Sequence, residues 1–186
     1  TTQSYEMNVD HLDNAKTFRT RFIREQTIQE PSNYKNEFLG PIPLRYALEK
    51  SINVPAVQLM HEMGPETVVA YAPRFGISSK VPPFLSVALG SSESTLEEIT
   101  SAYAVFPNRG IHMTPYRVTK IVDRDGKVLE ENRPVAHDAI RADTAYVMLN
   151  ILRGVVERGT GQSARSLAWP VGGKTGTVDE FTDGWF

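Results

Sequence analysis

Two short stretches of this chain combine side chains suited to acid–base and electrostatic work. Ser51-Ile52-Asn53 sets a hydroxyl and a carboxamide two residues apart. In an extended or turn segment that spacing lets both point into one cleft. The hydroxyl can relay a proton and the carboxamide can hold a peptide amide. Taken alone, the triplet fits helix capping as well, since Ser and Asn are among the commonest capping residues. The second stretch is Lys174-Thr175-Gly176-Thr177. On a strand, alternation sends Lys174 and Gly176 to one face and Thr175 and Thr177 to the other. Lysine supplies positive potential, threonine hydroxyls can donate to a carboxylate, and a strand glycine admits a ligand or another backbone at close range. An anionic, peptide-like ligand suits this set, although a solvated edge strand with a lysine accounts for the same four residues in isolation.

The elements around these stretches are legible in outline. Leu44, Ala47 and Leu48 have helical spacing, and Val57, Leu59, Met60 and Met63 continue it to a stop at Gly64. Ser51-Ile52-Asn53 falls at an interruption between the two segments, because Pro55 biases Val54 away from the helical region and Ser and Asn favour turns. Residues 65–75 read as a short helix from Pro65 to a stop at Gly76. A capping box is expected at Ser94-Thr95-Leu96-Glu97, followed by a helix with Leu96, Ile99, Tyr103 and Phe106 on one face and an end at Gly110. Tyr116 to Glu130 reads as a hairpin turning at Asp125-Gly126. A further helix runs from Asp143 to Glu157 through Ala145, Met148, Leu149, Leu152 and Val156, with Gly159 as its stop. Val171 to Val178 turns extended, and Asp179 to Gly184 forms a turn before an aromatic strand opening at Trp185-Phe186. Residues 1–40 are polar and weakly periodic, an irregular connection placed to run over a cleft. Helices with a few antiparallel strands, no internal repeat and no linker give one partial α+β domain over 1–186, cut at both ends.

Composition narrows the function classes. The 186 residues are 40% hydrophobic and 23% charged, ordinary globular material with a formal net charge of −2. Acids and bases are interspersed, so there is no electrostatic footprint for nucleic acid or an anionic membrane surface. Zero cysteines exclude disulfides, thiolate nucleophiles and cysteine-ligated zinc. The four histidines, His11, His61, His112 and His137, lack ligand spacing, so no metal site is expected. Trp169, Trp185 and Phe186 read as core or cleft walls, and no cofactor is expected. Apolar runs are far shorter than a membrane span.

What assigns the two motifs is their company. The run from Gly40 to Val57, Gly-Pro-Ile-Pro-Leu-Arg-Tyr-Ala-Leu-Glu-Lys-Ser-Ile-Asn-Val-Pro-Ala-Val, resembles the segment around the second motif of class A, bifunctional penicillin-binding proteins. Further matches arrive in that family's order: Arg74-Phe75-Gly76-Ile77, Leu89-Gly90-Ser91-Ser92-Glu93, Ala102-Tyr103-Ala104-Val105-Phe106, Gly159-Thr160-Gly161, Gly173-Lys174-Thr175-Gly176-Thr177 and Asp183-Gly184-Trp185-Phe186. The motif set of these enzymes and of class A β-lactamases is Ser-x-x-Lys, Ser-Asp-Asn and Lys-Thr-Gly. Ile52 at the middle position of the second motif is closer to the large penicillin-binding proteins than to the β-lactamases.

The resemblance implies a peptidoglycan D,D-transpeptidase fold and activity, with D-alanyl-D-alanine stem peptides as substrates and β-lactams as mimics. It implies that Ser51 relays a proton, that Asn53 holds the acyl chain's amide, and that Lys174 supplies positive potential and orients Ser51. Thr175 and Thr177 would bind the terminal carboxylate beside Gly176, and the backbone N–H of Thr177 would form half of an oxyanion hole. The family's nucleophile and its lysine open a helix a few tens of residues before the second motif. The single Ser-x-x-Lys spacing here, Ser32-Asn33-Tyr34-Lys35, lies too close to Ser51 and resembles the family's Pro-x-Asn-Tyr connection through Pro31, Asn33 and Tyr34. The expectation is therefore an internal piece whose serine precedes Thr1, catalytically silent alone. The same resemblance implies a glycosyltransferase domain and a membrane anchor in the parent, with this region periplasmic or otherwise extracytoplasmic. A serine β-lactamase or D,D-carboxypeptidase, and a non-catalytic ligand-binding or scaffolding relative, are the alternative readings.

Overall fold

The computed structural model describes residues 6–8, 19–21, 32–33, 37–177 and 184–186. In chain order the elements are β1 (Glu6–Asn8), β2 (Arg19–Arg21), α1 (Leu44–Glu49), α2 (Asn53–Met63), α3 (Pro65–Tyr71), α4 (Leu96–Ala104), β3 (Ile111–Met113), β4 (Lys120–Val122), β5 (Val128–Glu131), β6 (Ala136–Asp138), α5 (Ala142–Glu157), β7 (Gly176–Thr177) and β8 (Gly184–Trp185). The strands form four antiparallel pairs, β1 with β2, β3 with β6, β4 with β5 and β7 with β8. Helices with small antiparallel sheets make the α+β class expected from the sequence. The β1–β2 ladder was not legible in the weakly periodic first 40 residues, and the expected turn over 179–183 lies outside the described residues.

The chain forms two compact units, with boundaries inside α5 between Asn150 and Ile151 and around the segment 84–91. The first unit holds α1, α2, the second half of α5 and the C-terminal strands. Its core is Ala47, Val54, Val57, Met60, Leu85, Leu152, Val155 and Val156, all buried. Fully burying side chains such as Leu85 and Val57 contributes roughly 1.5–3 kcal/mol each. The 3-10 turn Leu85–Leu89 packs on α2, with Leu85 at its base.

The second unit begins at Glu66, and helix Pro65–Tyr71 continues as a 3-10 turn to Phe75 and stops at Gly76 in the left-handed region, as the Pro-to-Gly pattern predicts. Helix α4 opens with a capping box shifted one residue from the expected place: Thr95 caps and Glu98 reciprocates. Glu98 also takes hydrogen bonds from both the backbone and the hydroxyl of Ser78 and Ser79, at 2.7–2.8 Å. This second role selects Glu98 over Glu97, which instead pairs with Arg117. The expected inner face of α4 is also displaced. Leu96, Ile99 and Tyr103 are exposed, whereas Ser101, Ala102 and Val105 are buried. The helix proper ends at Ala104, and turns carry the chain to Gly110. There a Cβ would lie 2.2 Å from the Ile140 carbonyl oxygen, so only glycine fits.

The β4–β5 hairpin turns at Asp123–Lys127, where Asp123 Oδ1 accepts the N–H groups of Asp125 and Lys127 and Gly126 takes positive φ. Its register shifts between Ile121 and Val122. Helix α5 matches its expected span within a residue, with Ala145, Leu152, Val155 and Val156 on the buried stripe.

Candidate active site

Ser51 sits where a helix ends and would ordinarily recruit glycine. The N–H of Ile52 bonds to the Ala47 carbonyl at 2.9 Å and that of Ser51 to Leu48 at 3.1 Å, the paired bonds of a Schellman cap. The residue at the turn of that cap must be left-handed, and Ser51 has φ +56°. The interruption foreseen between the two helical segments is thus a specific cap. It is strained for a residue carrying a Cβ.

Helix α2 starts at once after the cap, with no side-chain cap of its own from Ile52. Two features meet its free N–H groups: Pro55 has none, and Asn33 Oδ1 accepts that of Val54 at 3.0 Å. The adjoining carbonyl of Ser32 accepts from Asn53 Nδ2 at 3.0 Å. Ser32, read from the sequence as a decoy for the nucleophile, therefore serves the site through its backbone; Lys35 lies outside the described residues. One Nδ2 proton and the whole of Oδ1 of Asn53 remain for a ligand.

Lys174 arrives from the far end of the chain. Its ammonium donates to Ser51 Oγ at 2.7 Å and to the Thr175 carbonyl at 2.9 Å. An ammonium has donors only, so Ser51 Oγ must accept from it, and the hydroxyl's own proton points elsewhere. Ser51 is exposed, so that proton is available to a ligand. Burial pulls the Lys174 pKa below the ordinary lysine value, making its charge easier to surrender.

The Thr175 hydroxyl meets a different residue and lies 2.6 Å from that of Thr160. The strand itself is shorter than read from the sequence: residues 171–175 belong to no strand, and pairing begins at Gly176 opposite Trp185. The backbone of Thr177 belongs to this ladder, opposite Gly184. Phe186 follows at once, and a Cβ at Gly161 or Gly173 would lie 2.8 or 2.6 Å from its ring. The ring thus lies against both glycines.

Beneath this group lies an ion pair that sequence reasoning missed. Glu49 is 2% exposed. Its carboxylate accepts two bonds from Arg158, Nε at 2.8 Å and Nη2 at 2.5 Å, in the bidentate geometry that favours arginine. A Cβ at Gly154 would strike Glu49 Oε1, and one at Gly159 would strike the Glu49 carbonyl oxygen. The same carbonyl accepts the Thr160 N–H at 3.1 Å. Glu49 and Arg158 stand 109 residues apart, and no local pattern links them. Asn33 and Thr160 did stand in recognisable stretches, Pro-x-Asn-Tyr and Gly-Thr-Gly, without a role attached to them.

Ser51, Asn53, Lys174 and Thr175 are thus held in one unit, with Ser51 and Lys174 in direct contact. Among the described residues no three His, Cys, Asp or Glu side chains gather as a metal ion would need. An open, mainly apolar groove of about 360 Å³ in the second unit, lined by Val69, Ala72, Pro73 and Ile77 among others, contains none of the motif side chains.

Comparison with known proteins identifies the family. The family model described as "Penicillin binding protein transpeptidase domain" matches residues 12–184. Penicillin-binding protein 1A of Aquifex aeolicus is 42% identical over 156 residues, which cover 84% of this chain and 21% of that protein. The chain therefore spans about a fifth of the length of this relative. Among solved structures, the D,D-transpeptidase domain of a peptidoglycan glycosyltransferase from Eggerthella lenta superposes with a TM-score of 0.74 at 26% identity, covering 93% of this chain and 51% of that one. Penicillin binding protein 3 from Mycobacterium tuberculosis, in complex with ampicillin, gives a TM-score of 0.66 at 26% identity over 74% of this chain and 37% of that one. With the second and third motifs in contact and the family model matching nearly the whole length, this chain belongs to the penicillin-binding protein transpeptidase family.

Proposed function

We propose that these 186 residues form part of one transpeptidase domain in a longer, membrane-anchored, extracytoplasmic protein that cross-links peptidoglycan by serine acyl transfer. The observation that carries the reading is the 2.7 Å bond from Lys174 to Ser51, side chains 123 residues apart. In this reading the nucleophilic serine and its lysine lie outside the 186 residues. That serine gives its proton to its motif lysine and attacks the penultimate carbonyl of a D-alanyl-D-alanine stem peptide, and the carbonyl π electrons move to oxygen. The oxyanion is held by the Thr177 N–H together with the nucleophile's own N–H. As the tetrahedral centre collapses the C–N bond breaks, and D-alanine leaves with a proton delivered through Ser51. An amine on a neighbouring strand then attacks the acyl-enzyme carbonyl; the ester C–O bond breaks as the new C–N bond is made, and the amine's proton returns by the reverse route to the released serine.

Each described side chain has a task in this scheme. Lys174 occupies one lone pair of Ser51, which directs the Ser51 proton toward the leaving nitrogen. Asn53, pinned through Ser32, offers its second Nδ2 proton to the acyl chain's carbonyl. Thr175, Gly176 and Thr177 receive the terminal carboxylate. β-Lactams enter as mimics of the same dipeptide, and the ampicillin complex of a 26% identical relative supports that ligand class. A glycosyltransferase domain in the same polypeptide is in keeping with the Eggerthella lenta match. Neither metal nor cofactor enters any step.

The test is acylation by a labelled penicillin, followed by mass spectrometry. The full-length protein should form a stable adduct on a serine outside this segment, and the isolated 186-residue chain none. Lys174→Ala and Asn53→Ala should slow acylation by about 10²-fold, the usual scale for lost positioning and electrostatic contacts. An adduct on any serine of this segment, or unchanged rates in both variants, would overturn the scheme. Rapid turnover of the adduct would point to a hydrolase in place of a transferase.

A further inference from the structure

We propose that Thr160 is a positioning residue for ligand recognition, its hydroxyl donating to Thr175 Oγ1 so that the single Thr175 proton turns outward to a ligand carboxylate. This rests on the carboxylate-binding role given above to Thr175, and adds to it a residue from a different loop.

Two hydroxyl oxygens 2.6 Å apart must share a proton, and either can be the donor. Each hydroxyl carries one proton and two lone pairs. If Thr175 donates to Thr160, Thr175 has no proton left for an anion. If Thr160 donates, the Thr175 proton is free and its oxygen is polarised by the incoming bond. A carboxylate arriving at Thr175 selects the second sense, because a hydrogen bond to a full negative charge is about twice as strong as a neutral one. Two bonds running in the same direction also reinforce each other. Thr160 thus converts a free hydroxyl rotor into a donor aimed one way.

The loop that carries Thr160 is built to hold that geometry. Its N–H is tied to the Glu49 carbonyl at 3.1 Å, and the Gly161 N–H to the Val155 carbonyl at 3.0 Å. Gly159 lies so close to the Glu49 and Val155 backbones that a Cβ would fall 2.2 Å from one carbonyl oxygen and 2.7 Å from the other. Gly161 is pressed against the Phe186 ring, which also contacts Gly173 beside Lys174. Gly159 is therefore required by close backbone packing, and with the two backbone hydrogen bonds it limits where the β-branched side chain of Thr160 can stand. The Glu49–Arg158 pair clamps the base of the same loop to the end of α1, two residues before Ser51.

The experiment measures second-order acylation rates of the full-length protein by benzylpenicillin and by its methyl ester, in which the carboxylate is masked. Thr160→Val keeps the branched shape and removes the hydroxyl. It should lower the free-acid rate by about tenfold, the scale of one hydrogen bond to a charged group, and leave the ester rate within about twofold. Thr160→Ser should restore the preference. In a double-mutant cycle, Thr160→Val should add almost nothing to Thr175→Val, since both remove the same proton path. Equal losses toward acid and ester, failure of Thr160→Ser to rescue, or additive effects of the two valines would each overturn the assignment. A wild-type protein unreactive toward both probes would instead sink the proposed function, and this inference with it.

Discussion

Replacing Ser51 separates its chemical role from the strain of its backbone. Ser51 lies at φ +56° in a Schellman cap. An L-residue in that region costs about 1–2 kcal/mol relative to the right-handed form. Ser51→Gly and Ser51→Ala both delete the oxygen that Lys174 donates to, so this loss cancels when the two variants are compared. Glycine relieves the steric cost at the cap, but its freer unfolded chain takes back about 0.4–1 kcal/mol. The difference leaves Ser51→Gly more stable than Ser51→Ala by about 0.5–1 kcal/mol, the reverse of their order within a helix. Urea unfolding followed by tryptophan emission is a suitable assay, because Trp169 and Trp185 belong to the same unit as Ser51. The glycine variant should show the higher midpoint at equal slope. Both variants should acylate about 10²-fold more slowly in the full-length protein. If the alanine variant were equally or more stable, the account of Ser51 as a strained cap residue would be wrong. If the glycine variant acylated at the wild-type rate, its role as proton relay would go as well.

Other perturbations follow from the same contacts. Glu98 accepts bonds from Ser78, Ser79 and Thr95, which hold its pKa far below the ordinary 4.5, the Thr95 backbone bond first. A depressed carboxylate stabilises the fold above its unfolded pKa, and that contribution is lost as pH falls below about 4.5 toward the folded value. Glu98→Gln should therefore lower Tm at pH 7 and have a shrinking effect in acid, as read by circular dichroism; a constant effect across pH would refute this. His112 is pushed below 6.5 by burial first and by neighbouring His137 second. The unfolded state then binds the proton more readily, so stability should fall as pH drops below about 6.5, and His112→Asn should flatten that slope. Leu85→Ala, at a position 1% exposed, should cost about 2–5 kcal/mol in chemical unfolding, against under 0.5 kcal/mol for an exposed site such as Lys120. Arg158→Met should slow acylation by penicillin while leaving the second unit's Glu98 network intact, as read by amide exchange at Ser78 and Ser79. Unchanged acylation would show that the clamp beneath Ser51 is dispensable.

The local signals in the sequence were dependable where a single residue type has one physical use. Gly64, Gly76 and Gly126 marked turns because each takes positive φ there. The hairpin at Asp123–Lys127 and the buried stripe of α5 followed from turn chemistry and helical period. The capping box moved from Glu97 to Glu98 because sequence spacing could not register the Ser78 and Ser79 donors that reward the later position. The face of α4 was misread for a related reason: Leu96, Ile99 and Tyr103 form a proper helical stripe, yet burial there falls on Ser101, Ala102 and Val105. Which stripe is covered depends on what packs against it.

By itself, the sequence determined the family and the order of the two motifs, because these depend on residue types in fixed succession. Tertiary structure alone decided that Lys174 meets Ser51, that Thr160 stands against Thr175, and that Glu49 is clamped by Arg158. Those contacts join residues 15 to 123 positions apart. A contact over such a separation is set by how helices and loops pack and by where glycine lets two backbones approach, and neither composition nor periodicity records it.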